Sequence, residues 1–165
     1  MSRRALWFAQ MEEAGKLAAS STSPLNAQGR LLALDLGAKR IGVAVSDELR
    51  ITARPVPIIL RRSWKELLRE VAGLLESFGA KGLVIGLPLR LDGSEGSAAE
   101  RARDVADKFR LSLGVPVYLQ DERLSTVAAE SKLRSTGLDQ DEIKRGVDSE
   151  AAAIILRDFI GRLQS

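Results

Sequence analysis

The sequence predicts one α/β domain built on a mixed five-stranded sheet that is flanked by helices. Three short apolar segments follow one another early in the chain with only turns between them, which is typical of an antiparallel meander. Two further apolar segments are each preceded by a helical pattern, and strands separated by helices require right-handed parallel crossovers. We therefore expect antiparallel strands on one side of the sheet and parallel strands on the other.

The first three predicted strands lie close together in the sequence. Leu31–Leu34 is a continuous apolar run that ends at Asp35, as expected of a strand buried on both faces. The turn Gly37–Arg40 leads directly to Ile41–Val45, which is near enough to form a hairpin with the first strand. Val56–Leu60 is a third strand, and the prolines at its start predict that it lies at an edge of the sheet.

The later elements alternate between helix and strand. Ser63–Phe78 is the clearest helix, because Ser63 and Glu66 form a capping box and the apolar residues repeat at helical spacing. The other predicted elements are strand Leu83–Leu87, the glycine-rich loop Pro88–Gly96, helix Ala98–Leu113, strand Val115–Gln120, helix Thr126–Ser135 and helix Asp148–Leu163.

The chain before the first strand has a different character. Residues 1–29 hold a short helical pattern followed by a polar linker rich in Ser, and we expect them to form a flexible extension outside the domain. Residues 30–165 then form the folded domain. Both a functional appendage and a misassigned start are compatible with this segment.

The composition restricts the chemistry. The 165 residues include neither Cys nor His, which excludes disulfides, thiolate metal sites and histidine bases. Carboxylates must carry any hydrolysis, and their oxygens suit Mg²⁺ and Mn²⁺. Without a disulfide framework, and without an apolar run long enough for a membrane span, we expect a cytoplasmic protein with no membrane partner.

Carboxylates stand at three points where the predicted topology can bring them together. Asp35 ends the first strand, Asp121 and Glu122 end the fifth strand, and Asp148 starts the last helix. Because side chains alternate along a strand, only one of the two neighbouring acids can face the same site as Asp35. Three such groups can hold two metal ions for phosphodiester cleavage. A turn cap at Asp35, a solvated strand end and a helix N-cap at Asp148 are the structural alternatives.

Basic residues flank these acids. Lys39, Arg40 and Arg123 are candidates for binding phosphates of a nucleic acid, and surface charges are the alternative interpretation. The chain has 18 Arg against 7 Lys, and the planar fork of Arg matches phosphate oxygens, although genomic base composition also raises Arg. Aromatic residues make up only 4%, so we expect phosphate contacts and a steep salt dependence rather than base stacking.

Four sequence blocks in order carry a resemblance to a known family. They are LDLGAKRIGVAVSD at 34–47, GLP at 86–88 with DGS at 92–94, DERLST at 121–126 and VDS at 147–149 before an Ala-rich helix. Together these blocks resemble the YqgF (RuvX) family of pre-16S rRNA nucleases, over about residues 30–163. The resemblance implies an RNase H-like fold and a distant relation to RuvC-type Holliday junction resolvases. It also implies the role proposed for the family, the maturation of the 5′ end of small-subunit ribosomal RNA.

The resemblance also implies a catalytic and metal-binding site. By position the acids of the family fall on Asp35, Glu122 and Asp148, with Asp121 the weaker candidate of its pair. Two divalent ions, Mg²⁺ or Mn²⁺, would be held there, Asp35 bridging them. RNA is the favoured partner and a DNA junction remains open, as do a monomer and a homodimer.

Three alternatives stay open at the level of the sequence. A Leu-Asp-Leu-Gly strand end is also found in ATP-dependent sugar kinases and actin, but those proteins close two domains around a nucleotide. A Holliday junction resolvase acting on DNA would use the same acids and would be expected to act as a dimer. A non-catalytic nucleic-acid-binding factor in transcription or ribosome assembly would need none of the acids for turnover.

Overall fold

The computed structural model describes residues 28–122 and 125–165. Its strands are β1 (Leu31–Leu36), β2 (Arg40–Ser46), β3 (Ala53–Leu60), β4 (Gly82–Leu87) and β5 (Val117–Asp121), in the order β3-β2-β1-β4-β5. The pairs β1–β2 and β2–β3 are antiparallel, whereas β1–β4 and β4–β5 are parallel. The predicted mixed sheet is confirmed, with β3 at one edge.

Four described helices cover the sheet: α1 (Trp64–Phe78), α2 (Ser97–Ser112), α3 (Ser125–Arg134) and α4 (Gln140–Leu163). The predicted capping box at the start of α1 is present, since Ser63 and Glu66 bond each other's backbone amides. Within the described ranges, no helix has the length and hydropathy needed to cross a membrane. The predicted phosphate ligand Arg123 and the extension as far as residue 27 lie outside the described residues.

The start of the last helix differs from the sequence prediction. Helix α4 begins at Gln140, so the prediction that it starts at Asp148 is wrong by eight residues. Asp148 lies within the helix, which excludes the alternative interpretation of this residue as an N-cap. The sequence pattern indicated a later start because the apolar residues that predicted the helix, Ile155, Phe159 and Leu163, lie further along it and pack against the sheet. Val147 instead packs with Ala129 of α3 in a small separate cluster.

The two faces of the sheet have different packing. In β1, Leu32 and Leu34 point to the face covered by α1 and α2, whereas Leu31 and Ala33 point to the face covered by α4. The second face carries small residues, and α4 meets it with Ala152 and Ala153. Small side chains on both partners allow the helix to approach the sheet closely.

The two ends of the sheet differ in the residues that they carry. The acidic end comprises the carboxyl ends of β1, β4 and β5 and therefore holds Asp35 and Glu122. The turn end comprises Leu31 at the start of β1, Ser46 at the end of β2 and the turn from Asp47 to Thr52. Helix α4 runs from the acidic end, at Asp148, to the turn end.

Candidate functional site

Asp35 lies on β1 at the acidic end of the sheet. Side-chain alternation places it on the same face as Leu31 and Ala33, which is the face covered by α4. Its partner across the antiparallel pair is Gly42 of β2. The carboxyl group of Asp35 is therefore directed toward the helix that carries Asp148.

Gly42 allows the main chain of α4 to touch the sheet at this point. A Cβ atom on Gly42 would lie 1.8 Å from the carbonyl oxygen of Asp148 and 2.8 Å from the backbone nitrogen of Ser149. Any side chain at position 42 would overlap with this backbone. The register of the β1–β2 pair and the missing Cβ together bring Asp148 beside Asp35.

Glu122 reaches the same site from the end of β5. Its backbone N–H donates to the carbonyl oxygen of Leu87 over 3.2 Å, so the residue stays attached to β4 beyond the last strand pair. A Cβ on Gly86 would lie 2.4 Å from Oε2 of Glu122, so a second glycine makes room for this carboxyl group. Glu122 shares a side-chain hydrogen bond with Asp35.

Asp121 has other surroundings. Of its pair, Glu122 is the acid that forms the hydrogen bond with Asp35. The charge of Asp121 raises the pKa of Asp158 on α4, after the larger effect of burial. The geometry thus brings Asp35, Glu122 and Asp148 together and leaves Asp121 at the side of the cluster.

The electrostatics of the acidic end favour protonated carboxyl groups. Burial raises the pKa of Asp35; the hydrogen bond with Glu122 opposes this rise and the charge of Asp148 adds to it. Burial, the charge of Asp35 and the hydrogen bond with Asp35 raise the pKa of Glu122 to about 9. These directions favour the protonated form of Glu122 when no cation is bound.

Two of the three basic residues predicted to bind phosphate, Lys39 and Arg40, lie at the same end. Arg40 Nε lies 3.1 Å from Oδ2 of Asp148, so its nearest anion is an acid of the cluster. Lys39 is exposed at the start of the hairpin. Arg61, at the end of β3, donates from Nη1 to the carbonyl oxygen of Gly37 over 3.0 Å and so fixes the β1–β2 turn.

The glycine-rich loop after β4 also borders the acidic end. Leu89 and Glu95 form an isolated bridge, and Arg90 N–H donates to the carbonyl oxygen of Ser94 over 2.9 Å. Glu95 is held by an ion pair with Arg103 of α2. The loop therefore has a defined small hairpin shape beside Asp35 and Glu122.

The donor set fits a divalent cation of the Mg²⁺ and Mn²⁺ type. All three acids offer carboxylate oxygens, and the buried Oδ2 of Asp148 has its ion pair with Arg40 at 3.1 Å but no contact with hydrogen-bond geometry from a described group. Within residues 28–122 and 125–165, no three acids already stand in a ligating arrangement. The raised pKa of Glu122 favours its protonated form without a cation, and a bound cation would have to replace that proton.

Comparisons with known proteins address the identity of the chain. The sequence profile of the RuvX family, described as Holliday junction resolvase, matches residues 29–162. The chain belongs to the RuvX family. The RNase H-like fold follows from this membership together with the mixed sheet order.

Curated relatives agree with the RuvX assignment. A protein of Anaeromyxobacter sp. (strain K), named "Putative pre-16S rRNA nuclease", is 47% identical over 133 residues, which is 81% of this chain and 97% of that protein. A relative of the same name from Myxococcus xanthus (strain DK1622) is 44% identical over 131 residues, 79% of this chain and 87% of its own length.

Among solved structures, the fowlpox virus resolvase in complex with Holliday junction DNA has a similar fold. The TM-score is 0.50 at 15% identity, and the match covers 82% of this chain and 99% of the resolvase. At this identity the likeness concerns the fold alone.

Some residues that shape the site of this RuvX protein were not singled out in the sequence. Gly42 and Gly86 provide the space for Asp148 and Glu122, and an isolated glycine within a strand pattern is the available signal for such a close approach. The hydroxyl of Ser149 lies inside the sheet, and nothing in its sequence position indicated this contact.

Proposed function

We propose that this RuvX-family protein is a metal-dependent nuclease that hydrolyses phosphodiester bonds and processes the 5′ end of pre-16S rRNA in the cytoplasm. One observation carries the proposal. Asp35 and Glu122 share a hydrogen bond at the acidic end, and the contact of Gly42 with α4 brings Asp148 beside them. The substrate is taken from relatives such as the Anaeromyxobacter protein, which is 47% identical.

Asp35, Glu122 and Asp148 are the residues we assign to metal binding and catalysis. When bound, Mg²⁺ or Mn²⁺ supplies an activated water and stabilises the departing oxygen, and two ions suit in-line displacement. Asp35 interacts with both other acids and would therefore take part in holding each ion. Glu122 would bind a cation in its deprotonated form, and Arg40 would orient the carboxylate of Asp148.

Substrate binding is assigned to basic residues around the acids. Lys39 is exposed and can contact a phosphate directly. Arg40 already forms an ion pair with Asp148, so it would contact a phosphate either from within this pair or after leaving it. Arg123 is kept as a third phosphate ligand on the strength of the family motif. Backbone amides of the loop Pro88–Gly96 are further candidates for contacts with the nucleic-acid backbone.

A DNA endonuclease acting on four-way junctions is the second candidate, because the RuvX family description names this activity. Such an enzyme cuts two strands related by symmetry, so it should act as a homodimer. A monomer in the presence of substrate would favour RNA processing. A non-catalytic binding factor would retain affinity for nucleic acid without any need for the three acids.

The test compares two substrates and two variants. End-labelled precursor RNA and a synthetic four-way DNA junction are incubated with Mn²⁺, Mg²⁺ or EDTA and the wild-type protein. Asp35→Asn removes one acid of the cluster, and Asp47→Asn, at the turn end, is the matched control. The proposal is supported if wild type and Asp47→Asn cleave the RNA in a metal-dependent way and Asp35→Asn does not.

Other results of this experiment have definite meanings. Cleavage of the junction alone would replace the RNA substrate with DNA. Binding of both substrates by wild type and Asp35→Asn with no cleavage in any metal would overturn the nuclease proposal in favour of a binding factor.

A further inference from the structure

Ser149 places a hydroxyl group from α4 inside the sheet. Its Oγ accepts a hydrogen bond from the backbone N–H of Val43 over 3.3 Å and donates to the carbonyl oxygen of Val56 over 2.7 Å. The residue is 5% exposed, so water has little access to these bonds. Both the donor and the acceptor capacity of the hydroxyl are used.

The two backbone groups belong to neighbouring strands at an irregular point. Val43 of β2 and Val56 of β3 are Cα partners, and the register of this pair shifts between Ile41 and Val43. At such a bulge one residue of the ladder loses its regular bond. The hydroxyl of Ser149 links the strands there, so the helix forms part of the sheet's hydrogen bonding.

The same point of the sheet lies next to the acids. Val43 follows Gly42, whose Cα faces the carbonyl group of Asp148, and Gly42 pairs with Asp35. A shift of α4 along or away from β2 would therefore change the separation of Asp148 and Asp35. Arg157 also ties α4 to β3, through the carbonyl oxygen of Ala53, but near the turn end.

We propose that Ser149 is a positioning residue: its hydroxyl, bonded within the β2–β3 ladder, sets the place of Asp148 relative to Asp35 and thereby the affinity of the acid cluster for a divalent cation. Residues that orient metal ligands without touching the metal commonly have this effect. The inference rests on the proposed function for its catalytic consequence, although the position of Asp148 can be measured without catalysis.

Ser46, the last residue of β2, is a matched control. It is 3% exposed, and its Oγ accepts from the N–H of Leu31 over 2.8 Å and donates to the carbonyl oxygen of Asp47 over 2.9 Å. The alanine variants of Ser46 and Ser149 each remove one buried hydroxyl that connects two backbone groups. Ser46 lies at the turn end, away from the acids.

The experiment measures Mn²⁺ binding by thermal stabilisation. Both Ser149→Ala and Ser46→Ala should melt below wild type without metal, because each leaves buried backbone groups unpaired. The Mn²⁺ concentration giving half-maximal stabilisation should rise about tenfold in Ser149→Ala, the lower end of the effects known for residues behind metal ligands. In Ser46→Ala it should stay as in wild type.

A second measurement uses the metal-free proteins. The ¹³C resonance of the Asp148 carboxyl group should shift in Ser149→Ala and remain in place in Ser46→Ala. Equal Mn²⁺ midpoints in the two variants, or an unmoved Asp148 resonance in Ser149→Ala, would overturn the positioning role.

The failure of this inference can be told apart from the failure of the proposed function. If wild type cleaves neither RNA nor the DNA junction, the nuclease proposal fails while the Asp148 resonance still decides the role of Ser149. If wild type cleaves RNA and Ser149→Ala does so with unchanged Mn²⁺ dependence, the function stands and the positioning role does not. RNA cleavage by Ser149→Ala that recovers only at raised Mn²⁺ supports both.

Discussion

Asp35 and Asp47 lie at opposite ends of the β1–β2 pair, and their pKa values are shifted in opposite directions. Backbone N–H groups of Thr52 and Ile51 donate to Asp47 Oδ1 over 2.7 and 2.8 Å, and the first of these is the main cause of its lowered pKa. Burial raises the pKa of Asp35. One acid stabilises a turn as a carboxylate, whereas the other is held beside further acids at a cost in stability.

This difference separates a structural carboxylate from a functional one. A buried acid with a raised pKa and acidic neighbours contributes little to folding unless something else offsets its charge. The turn end is satisfied by hydrogen bonds within the protein. The acidic end requires a proton or a cation, which is why we assign the chemistry to it.

Among the variants that test the difference between the two ends, Gly42→Ala should have the largest effect on stability and on RNA cleavage. The new Cβ would overlap with the carbonyl oxygen of Asp148, at 1.8 Å, so α4 must move away from β2. Overpacking against a main chain should lower the free energy of unfolding by about 3 kcal/mol or more. Urea denaturation measures this loss, and RNA cleavage should disappear with it.

Gly82→Ala is the control for Gly42→Ala at the turn end. Its Cβ would meet the end of the Leu31 side chain, at 2.9 Å, and a side chain can rotate away. The expected loss is below about 1.5 kcal/mol, with cleavage retained. Equal losses for the two variants would contradict the tight contact of α4 with β2.

A second prediction concerns opposite responses of activity and stability. Asp35→Asn should reduce RNA cleavage on the order of 10³-fold, the size of loss found when one preorganised electrostatic contact is removed. In EDTA at pH 8 the same variant should melt above wild type, because it removes a buried charge from the acid cluster. Calorimetry and the cleavage assay check the two signs.

Asp47→Ala should give the reverse pattern. Loss of its carboxylate leaves the amides of Ile51 and Thr52 without their acceptor, so the melting temperature should fall while cleavage stays near that of wild type. If Asp35→Asn melts below wild type in EDTA, the contrast between the two ends is wrong.

The third prediction concerns pH. Because the folded pKa of Glu122 is raised from 4.5 to about 9, its contribution to stability is present below pH 4.5 and is lost as the pH rises toward 9. The free energy of unfolding in EDTA should therefore decline across this window. Glu122→Gln should show a shallower decline, as measured by urea titrations at several pH values.

Added Mn²⁺ should oppose that decline in wild type, because the cation takes the place of the proton. The sign for Asp47 is opposite: its pKa is lowered from 3.8, so its contribution is present above pH 3.8 and is lost on further acidification. A decline toward pH 9 that is as steep in Glu122→Gln as in wild type would contradict the assignment of the proton.

The smallest effect is expected from single exposed lysines. Lys39→Ala at the acidic end should reduce the slope of log affinity against log salt by about 1, as for one lost phosphate contact. Lys81→Ala, at the turn end, should leave the slope unchanged. Filter binding of RNA between low and high salt makes the comparison, and equal slopes for both variants would remove Lys39 from the binding surface.

The sheet could be predicted from the sequence because each strand is a short apolar run. The later strands are also connected by helices of ordinary length, which the periodicity indicates. The three acids could be proposed because they end strands or precede an Ala-rich helix in a recognisable family pattern. The full length of α4 could not be predicted, since Val147 packs with Ala129 of α3, apart from the residues of the helix that face the sheet. The Arg40–Asp148 pair and the bonds of Ser149 depend on contacts between distant segments, which periodicity does not encode.

The tight seat of α4 on Gly42 has a consequence for synthesis on the ribosome. Asp35 and Gly42 leave the exit tunnel more than 100 residues before Asp148 and Ser149. Until then, β2 and β3 lack the hydroxyl that bridges Val43 and Val56, and the acids at the end of the sheet lack their third member. A nascent chain therefore cannot assemble the cluster before α4 has been made, and the nuclease we propose becomes competent only after that.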